Sequence, residues 1–253
     1  MIHFVGAGPG AEDLITLRGA QFLEEADCII YAGSLVNPGL LKRAKEGCAI
    51  YNSATMTLEE VLAVMDEQEA MDHVTVRLHT GDPAMYGAIR EQMDALDEKG
   101  IAYDVTPGVS SVFGGAAALG AEFTLPGISQ TLILTRMAGR TPVPEREALD
   151  KLAAHGASMA IFLSAGLLEE VSRALCEGAF TEDSPAAIVY KATWPEEKVV
   201  RCTVGTLQET AEREGITATA LIYVGDFLTA TPERSKLYDP SFSTGFRKAT
   251  GEE

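Results

Sequence analysis

Ile2-His3-Phe4-Val5-Gly6-Ala7-Gly8-Pro9-Gly10-Ala11 stands at the head of the chain and settles the class of fold. A short apolar run passes straight into closely spaced glycines, which reads as a first β-strand followed by a tight turn needing positive φ. The same handover recurs downstream. Cys28 to Tyr31, Val74 to His79 and Tyr103 to Val105 also read as strands, and amphipathic stretches at Thr16 to Glu25, Leu58 to Gln68, Ala88 to Lys99 and Val109 to Leu119 lie between or after them. Strands alternating with helices predict an α/β arrangement around a mostly parallel sheet.

Near Ala121-Glu122-Phe123-Thr124-Leu125-Pro126-Gly127 a Gly- and Ala-rich helix stops, and a Pro-Gly pair precedes a fresh strand, Thr131 to Arg136. That change reads as a domain boundary. Further strands are expected at Ala160 to Leu163, Ala187 to Lys191, Val199 to Val204 and Ala220 to Val224, with helices at Glu145 to Ala154, Leu167 to Leu175 and Leu207 to Glu214. Strands follow one another more closely here, so the second sheet is expected to be mixed. The expected division is an N-terminal α/β domain, residues 1–122, a C-terminal α/β domain, residues 123–229, and a polar tail, residues 230–253, fraying from Lys248 to Glu253.

Composition narrows the function. The 253 residues, 46% hydrophobic, suffice for one large or two smaller domains with real cores. Thirty-seven acids against 20 Lys and Arg leave a net charge of −17, which repels phosphate backbones and anionic lipid, so neither nucleic acid nor a membrane is expected as a partner. No stretch reaches the roughly 18 apolar residues of a membrane span. The N-terminus shows no basic leader before its first strand, and the expected location is the cytoplasm. Cys28, Cys48, Cys176 and Cys202 show no C-x-x-C spacing, and at least three lie in apolar sequence, which points to free buried thiols. The histidines lack ligand spacing too, so no protein-bound metal is expected.

Open α/β sheets bind ligands beyond the carboxyl ends of their strands, so the loops after the strands of the first half carry the weight. Gly6 to Ala11 matches G-x-G-x-x-A formally. A dinucleotide loop opens its helix directly, however, whereas the expected N-cap here is Thr16, and Tyr31-Ala32-Gly33-Ser34 offers no acid for a ribose. The second loop is Thr80-Gly81-Asp82-Pro83-Ala84-Met85-Tyr86-Gly87. Asp82 reads either as an N-cap with Pro83 at N1, or as an acid facing a cation while glycines let the backbone approach a ligand. The third, Thr106-Pro107-Gly108-Val109-Ser110-Ser111, opens a helix through Gly114 and Gly115, where small side chains serve helix packing and ligand approach equally.

In this order, G-A-G-P-G near the N-terminus, G-D-P-x-x-Y-G from Gly81 and P-G-V-S-S from Pro107 make the chain similar to the tetrapyrrole methylase family over essentially its whole length. Tyr31 to Pro38, Arg77 to Pro83, Ser129 to Thr131, Thr135 to Pro144, Phe162 to Ala165 and Ala192 to Pro195 resemble the members that methylate carbon 11 of precorrin-4 or cobalt-precorrin-4 in cobalamin synthesis. The resemblance implies a fold distinct from the Rossmann methyltransferases. In it two α/β domains, each a sheet flanked by helices, hold S-adenosylmethionine in a cleft between them, within a homodimer. Carried over position by position, it implies Pro9 at the cleft wall, Gly81, Asp82, Pro83, Ala84 and Met85 around the methionine part, and Ser110 and Ser111 beside it. Leu163, Ser164, Ala192, Thr219 and Ala220 are implied around the adenosine.

That chemistry suits what the sequence lacks. A sulfonium methyl is already activated and leaves a neutral thioether behind, so geometry and a dry pocket matter more than a nucleophile, and alignment alone is worth ~7–11 kcal/mol. His79 and Tyr86 are the nearest candidates for a general base, and the catalytic residue stays unassigned. A tetrapyrrole carries carboxylates on a flat apolar macrocycle, which asks for forked donors. Arg136 and Arg140, flanking Gly139 ahead of Pro142 and Pro144, meet that need unless they are ordinary surface charges; Arg77 and Lys191, borne on strands, are weaker candidates. Two other readings compete: the same transfer at another ring carbon, as in uroporphyrinogen methylation, and a nicotinamide-dependent oxidoreductase using Gly6, Gly8 and Ala11 as a phosphate loop.

Overall fold

The computed structural model describes residues 1–33 and 35–250, so Ser34 of the Tyr31 to Pro38 stretch and residues 251–253 of the expected frayed end lie outside the described residues. The chain forms two compact units: Met1–Gly115 with Lys191–Glu197, and Ala116–Tyr190 with the chain from Lys198 onward.

The first unit is built on a parallel sheet of β1 (Ile2–Gly6), β2 (Cys28–Tyr31), β3 (Ala49–Asn52), β4 (Thr75–His79) and β5 (Tyr103–Thr106), in the order β3-β2-β4-β1-β5. The hydrophobic pattern does not reveal β3. Its residues alternate between half-covered and exposed, as suits the edge position it takes. β1 and β4 are buried along their whole length, because both faces are covered. Alternation decides which residue meets which layer. Val5, Ile29, Val76 and Leu78 pack against α1 (Leu17–Glu25) through Ala20 and Leu23. Phe4 and Ile30 face the other way, onto Val61 and Met65 of α2 (Leu58–Ala70) and Leu96 of α3 (Arg90–Lys99). Full burial of side chains such as Leu23, Met65 and Leu96 stabilises the unit by ~1.5–3 kcal/mol each.

Thr16 caps α1 as expected, its hydroxyl accepting from the Gly19 N–H at 3.1 Å. The chain leaves β1 for β2 by way of α1, and leaves β4 for β5 by way of α3 on the opposite face. The neighbouring ends of β1 and β4 therefore form a topological switch point, the place where open α/β sheets receive ligands.

The second unit holds β6 (Leu132–Arg136), β7 (Ser158–Phe162), β8 (Pro185–Tyr190), β9 (Lys198–Thr203) and β10 (Ala220–Val224), in the order β6-β7-β10-β8-β9. Only β6 and β7 pair in parallel, so the sheet is mixed, as its close strand spacing predicts. Met159, Ile161, Ile188 and Ile222 pack on one face against Val171 and Leu175 of α6 (Leu168–Glu177) and Leu207 and Ala211 of α7 (Leu207–Glu214). The stretch Glu145 to Ala154 is not one helix. Pro144 and Ala148 are extended, with ψ of 139° and 143°, which confines 145–147 to a 3-10 turn and leaves α5 as Leu149–Ala153.

The cysteines also depart from expectation. Only Cys28 is buried; Cys48 and Cys202 are half-buried and Cys176 is exposed, because it follows the inward-facing Ala174 and Leu175 and so turns to the solvent side of α6. All four are free, and burial pushes the Cys28 thiol up to about 12 and the Cys202 thiol up to about 11. Among the described residues no helix is long and apolar enough to cross a membrane.

Candidate functional site

The loops after β1 and β4 emerge side by side at the switch point and are zipped together. Gly8 N–H donates to Gly81 O at 3.2 Å, Gly81 N–H donates to Gly8 O at 2.9 Å, and Ala7 N–H donates to His79 O at 2.7 Å. The loop after β5 joins them backbone to backbone. A Cβ on Gly6 would stand 2.5 Å from Gly108 Cα and 2.6 Å from Gly81 O, and one on Gly108 would overlap Gly81 O outright. Only glycine permits such an approach, so the three loops read separately in sequence form one glycine-built junction. Gly8 and Gly81 also take left-handed φ of 80° and 60°.

Asp82 braces this junction. Its Oδ1 accepts from Ala84 N–H at 2.8 Å and its Oδ2 from Gly108 N–H at 2.9 Å, so one carboxylate turns its own loop and ties it to the next. The helix-cap alternative is corrected: α3 begins at Arg90, its N-cap Ile89 makes no side-chain cap, and Pro83 opens no helix. The intervening loop instead coils on itself, with Gly87 pressed against Pro83 O and positive φ at Tyr86 (58°) and Ala88 (49°). Pro83 is buried, Met85 half-buried and Ala84 exposed. Ser110 is buried, its Oγ accepting from Val112 N–H at 3.4 Å, and Ser111 is the first residue of α4 (Ser111–Leu119).

His79, the last residue of β4, is 3% exposed and its Nε2 has no hydrogen-bond partner. Burial, with the nearby Arg77 charge second, pulls its imidazole down to about 3, which leaves it uncharged and poorly basic at neutral pH. Arg77 is an internal strut. Its Nε donates to Gln92 Oε1 at 3.0 Å and its Nη1 to Ile30 O at 3.1 Å, and burial draws it down to about 10, so it stays charged at neutral pH. Tyr86, by contrast, is 46% exposed.

Nothing in the hydrophobic pattern announces the next contribution. The connection from β8 to β9, Lys191–Glu197, belongs to the first unit. Trp194 Nε1–H donates to Pro9 O at 3.1 Å, and Thr193 Oγ1 accepts from Ala11 N–H at 3.0 Å. The indole lies so close over Gly10 that any Cβ there would overlap it. Ala192 is buried between Lys191 and Thr193, whose φ are 45° and 70°. In sequence the stretch is marked by the resemblance at Ala192 to Pro195 and by a lone tryptophan beside a proline between two strands, neither of which points to the first loop.

In the second unit the implied positions gather at one end of the sheet. β6 and β7 both finish there, with Arg136 opposite Phe162, and β10 starts there, with Ala220 opposite Tyr190 at the end of β8. Leu163 is 65% exposed at φ 52°, and Thr219 has φ 54°. Ser164 is wholly buried, its Oγ donating to Phe162 O at 2.6 Å and accepting from Met137 N–H at 2.9 Å, so its hydroxyl is spent on the fold. The two arginines part company. Arg136 turns back on its own loop, Nη2 donating to Pro142 O at 2.7 Å and Nη1 to Thr141 O at 3.1 Å. Arg140 is exposed and has no hydrogen-bond or ion-pair partner among the described residues.

Strain marks the same places. Seven non-glycine residues among those described have positive φ, and all but Asp72 lie in these segments: Tyr86, Ala88, Leu163, Lys191, Thr193 and Thr219. Each costs ~1–3 kcal/mol, and such residues cluster where ligands are clamped. Among the described residues no group of three or more His, Cys, Asp or Glu is placed to hold a metal ion.

Comparison with known proteins adds the following. A family model described as tetrapyrrole (corrin/porphyrin) methylases matches residues 1–208. The chain is 50% identical to the cobalt-precorrin-4 C(11)-methyltransferase of Methanocaldococcus jannaschii, over 98% of this chain and 96% of that one. It is 46% identical to the protein of the same name from Priestia megaterium, over 100% and 99%. With the uroporphyrinogen-III C-methyltransferase of Bacillus subtilis it shares 30% identity over 89% and 90%. The X-ray structure of a cobalamin biosynthetic enzyme, cobalt precorrin-4 methyltransferase, superposes with a TM-score of 0.88 at 46% identity, covering 90% of this chain and 96% of that one.

Proposed function

Because the chain belongs to the tetrapyrrole (corrin/porphyrin) methylases, we propose that it transfers a methyl group from S-adenosylmethionine to carbon 11 of precorrin-4 or cobalt-precorrin-4, giving (cobalt-)precorrin-5 in cobalamin synthesis. One observation carries the choice of carbon: 50% identity over 98% of the chain to a relative named for it, against 30% to one named for uroporphyrinogen-III. The nicotinamide reading loses its support, because the glycine loop opens no helix: a 3-10 turn, Glu12–Leu14, and Thr16 intervene before α1.

The residues present fit the donor. The glycine junction fixes the three loops at the switch point, where open α/β sheets receive ligands, and Asp82, with two lone pairs spent on N–H groups, keeps others for an ammonium. S-adenosylmethionine supplies the methyl on an activated sulfonium. The chain's part is to hold and orient: Gly81, Asp82, Pro83, Ala84 and Met85 around the methionine portion, Pro9, Ser110 and Ser111 beside it, and Leu163, Ser164, Ala192, Thr219 and Ala220 for the adenosine. In the Gly81 to Met85 loop the Gly81 and Asp82 carbonyls already accept from Gly8 and Met85 N–H groups, which leaves the later carbonyls for weak C–H···O contacts. Ser164 contributes through its main chain, since its hydroxyl is engaged. No general base is assigned, as an imidazole held at about 3 takes up a proton poorly at neutral pH.

For the polycarboxylate ring, Arg140 donates its N–H groups to substrate carboxylates and Arg136 shapes the loop that presents it. The working form is a homodimer, for which the exposed Leu237, Tyr238, Phe242 and Phe246 provide apolar surface to be covered. Sedimentation equilibrium that finds only monomer overturns that part.

The main test is an anaerobic incubation with carbon-13-methyl donor and each form of precorrin-4, read by product NMR. Label on carbon 11 is expected. Label on another ring carbon overturns the assignment, and methylation of uroporphyrinogen III alone restores the runner-up.

A further inference from the structure

We propose that Trp194 is a positioning residue for donor binding: the Lys191–Glu197 excursion is a latch that holds the Pro9-Gly10-Ala11 main chain in its ligand-receiving shape. The inference rests on the donor reading above. The loop after β1 is short and irregular between Gly6 and the turn at Glu12, so its polar main-chain groups need partners from elsewhere. They find them. Pro9 O accepts from Trp194 Nε1–H, Gly10 O accepts from Asn37 Nδ2–H at 2.8 Å, and Ala11 N–H donates to Thr193 Oγ1. Two of these partners lie more than 180 residues downstream.

Gly10 is not among the glycines with positive φ, so its backbone does not demand glycine. The indole does, because it occupies the space a Cβ would need. The latch is itself braced. Thr193 N–H donates to Glu197 Oε2 at 2.6 Å, Trp194 N–H donates to Lys191 O at 3.0 Å, and Lys191 Nζ stands 5.6 Å from the centre of the indole ring. The strained φ of Lys191 and Thr193 are the cost of presenting Thr193 and Trp194 together. Pro9 and Ala192, both assigned to donor binding, are thus held by one device. Its effect falls on the donor.

Trp194 is the chain's only tryptophan, so tryptophan emission reads this contact alone. The experiment uses the full chain, titrated with S-adenosylhomocysteine by calorimetry and fluorescence, as wild type, Trp194→Ala, Trp194→Phe, Thr193→Val and Gly10→Ala. Wild type is expected to bind with a change in emission. Trp194→Ala and Gly10→Ala bind about tenfold more weakly or worse, and Trp194→Phe, which keeps a ring over Gly10 but no N–H, falls between. In turnover the KM for the donor rises while that for the tetrapyrrole holds. Amide exchange of the peptide spanning residues 6–11 quickens in Trp194→Ala and Thr193→Val.

Folded variants that bind at wild-type affinity with unchanged exchange overturn the latch and leave the donor reading standing. Wild type that binds no S-adenosylhomocysteine overturns the donor reading and with it the positioning role. Should Trp194→Ala not fold, Trp194→Phe and Thr193→Val decide by the same measurements.

Discussion

Asp82 shows how a single side chain acquires its role. Its carboxylate accepts from two main-chain N–H groups that belong to different loops. Asp82→Ala leaves both donors unmatched, which should cost ~1–3 kcal/mol and lower the urea midpoint together with S-adenosylhomocysteine affinity. Asp82→Asn keeps an acceptor and should lose less. An unchanged midpoint and affinity in the alanine variant would show that the loops need no brace. His79 makes a different forecast. Its imidazole is held at about 3 in the folded chain, against ~6.5 when unfolded, so between those values the unfolded state binds more protons. Its contribution is complete above pH ~6.5 and drains away as the pH falls toward about 3, amounting to a loss of ~2 kcal/mol by pH 5. His79→Gln should flatten the stability profile between pH 5 and 7, measured by urea unfolding; a profile as steep as wild type places the titration elsewhere.

Among loops and strands the glycine junction is the least forgiving feature. A methyl on Gly108 would press into the Gly81 carbonyl, main chain against main chain, with no flexible end to move aside. Gly108→Ala should therefore cost about 3 kcal/mol or more, lowering Tm by ~6–12 °C. Gly100, which ends α3 at φ 68° with open space around it, provides the contrast: Gly100→Ala should cost only ~1–2 kcal/mol, from φ alone. Calorimetric melting of the two variants separates close approach from backbone conformation, and equal shifts would contradict the distinction. The loop after β6 divides its arginines in the same manner. Arg140→Ala should leave stability within ~0.5 kcal/mol while weakening tetrapyrrole binding about tenfold. Arg136→Ala should lower both, because three main-chain carbonyls lose their donor. Anaerobic substrate titration beside urea unfolding checks the pair; equal behaviour of the two variants would mean that the loop needs no internal anchor.

At the scale of the complete chain, charge governs the encounter. A protein of −17 repels a polycarboxylate at long range, so raising ionic strength toward physiological values should speed substrate association even while it weakens the contact at Arg140. Stopped-flow association rates that fall with added salt would instead require a local positive field strong enough to dominate. The fold's legibility follows a similar division of range. Cys28 to Tyr31 and Ala220 to Val224 coincide with β2 and β10, because buried strands need continuous apolar runs. β3 escapes, because an edge strand with exposed alternate positions carries too little apolar signal. Neither sequence reading of Asp82, helix cap or acid facing a cation, included its brace to Gly108, 26 residues away. Trp194 turned on Pro9, 185 residues away.

By itself the amino-acid order determined the α/β class of both halves and the glycine-rich turns after the strands, since periodicity and turn chemistry are local properties of the chain, and the order of its loop motifs carried the resemblance to the family. Tertiary structure alone decided which backbone each glycine must admit, that Ser164 and Arg136 spend themselves on their own loops, that His79 stays uncharged, and that a segment between β8 and β9 secures the first loop. Those outcomes depend on desolvation and on contact between residues distant in sequence, and neither is written in any window of neighbouring residues.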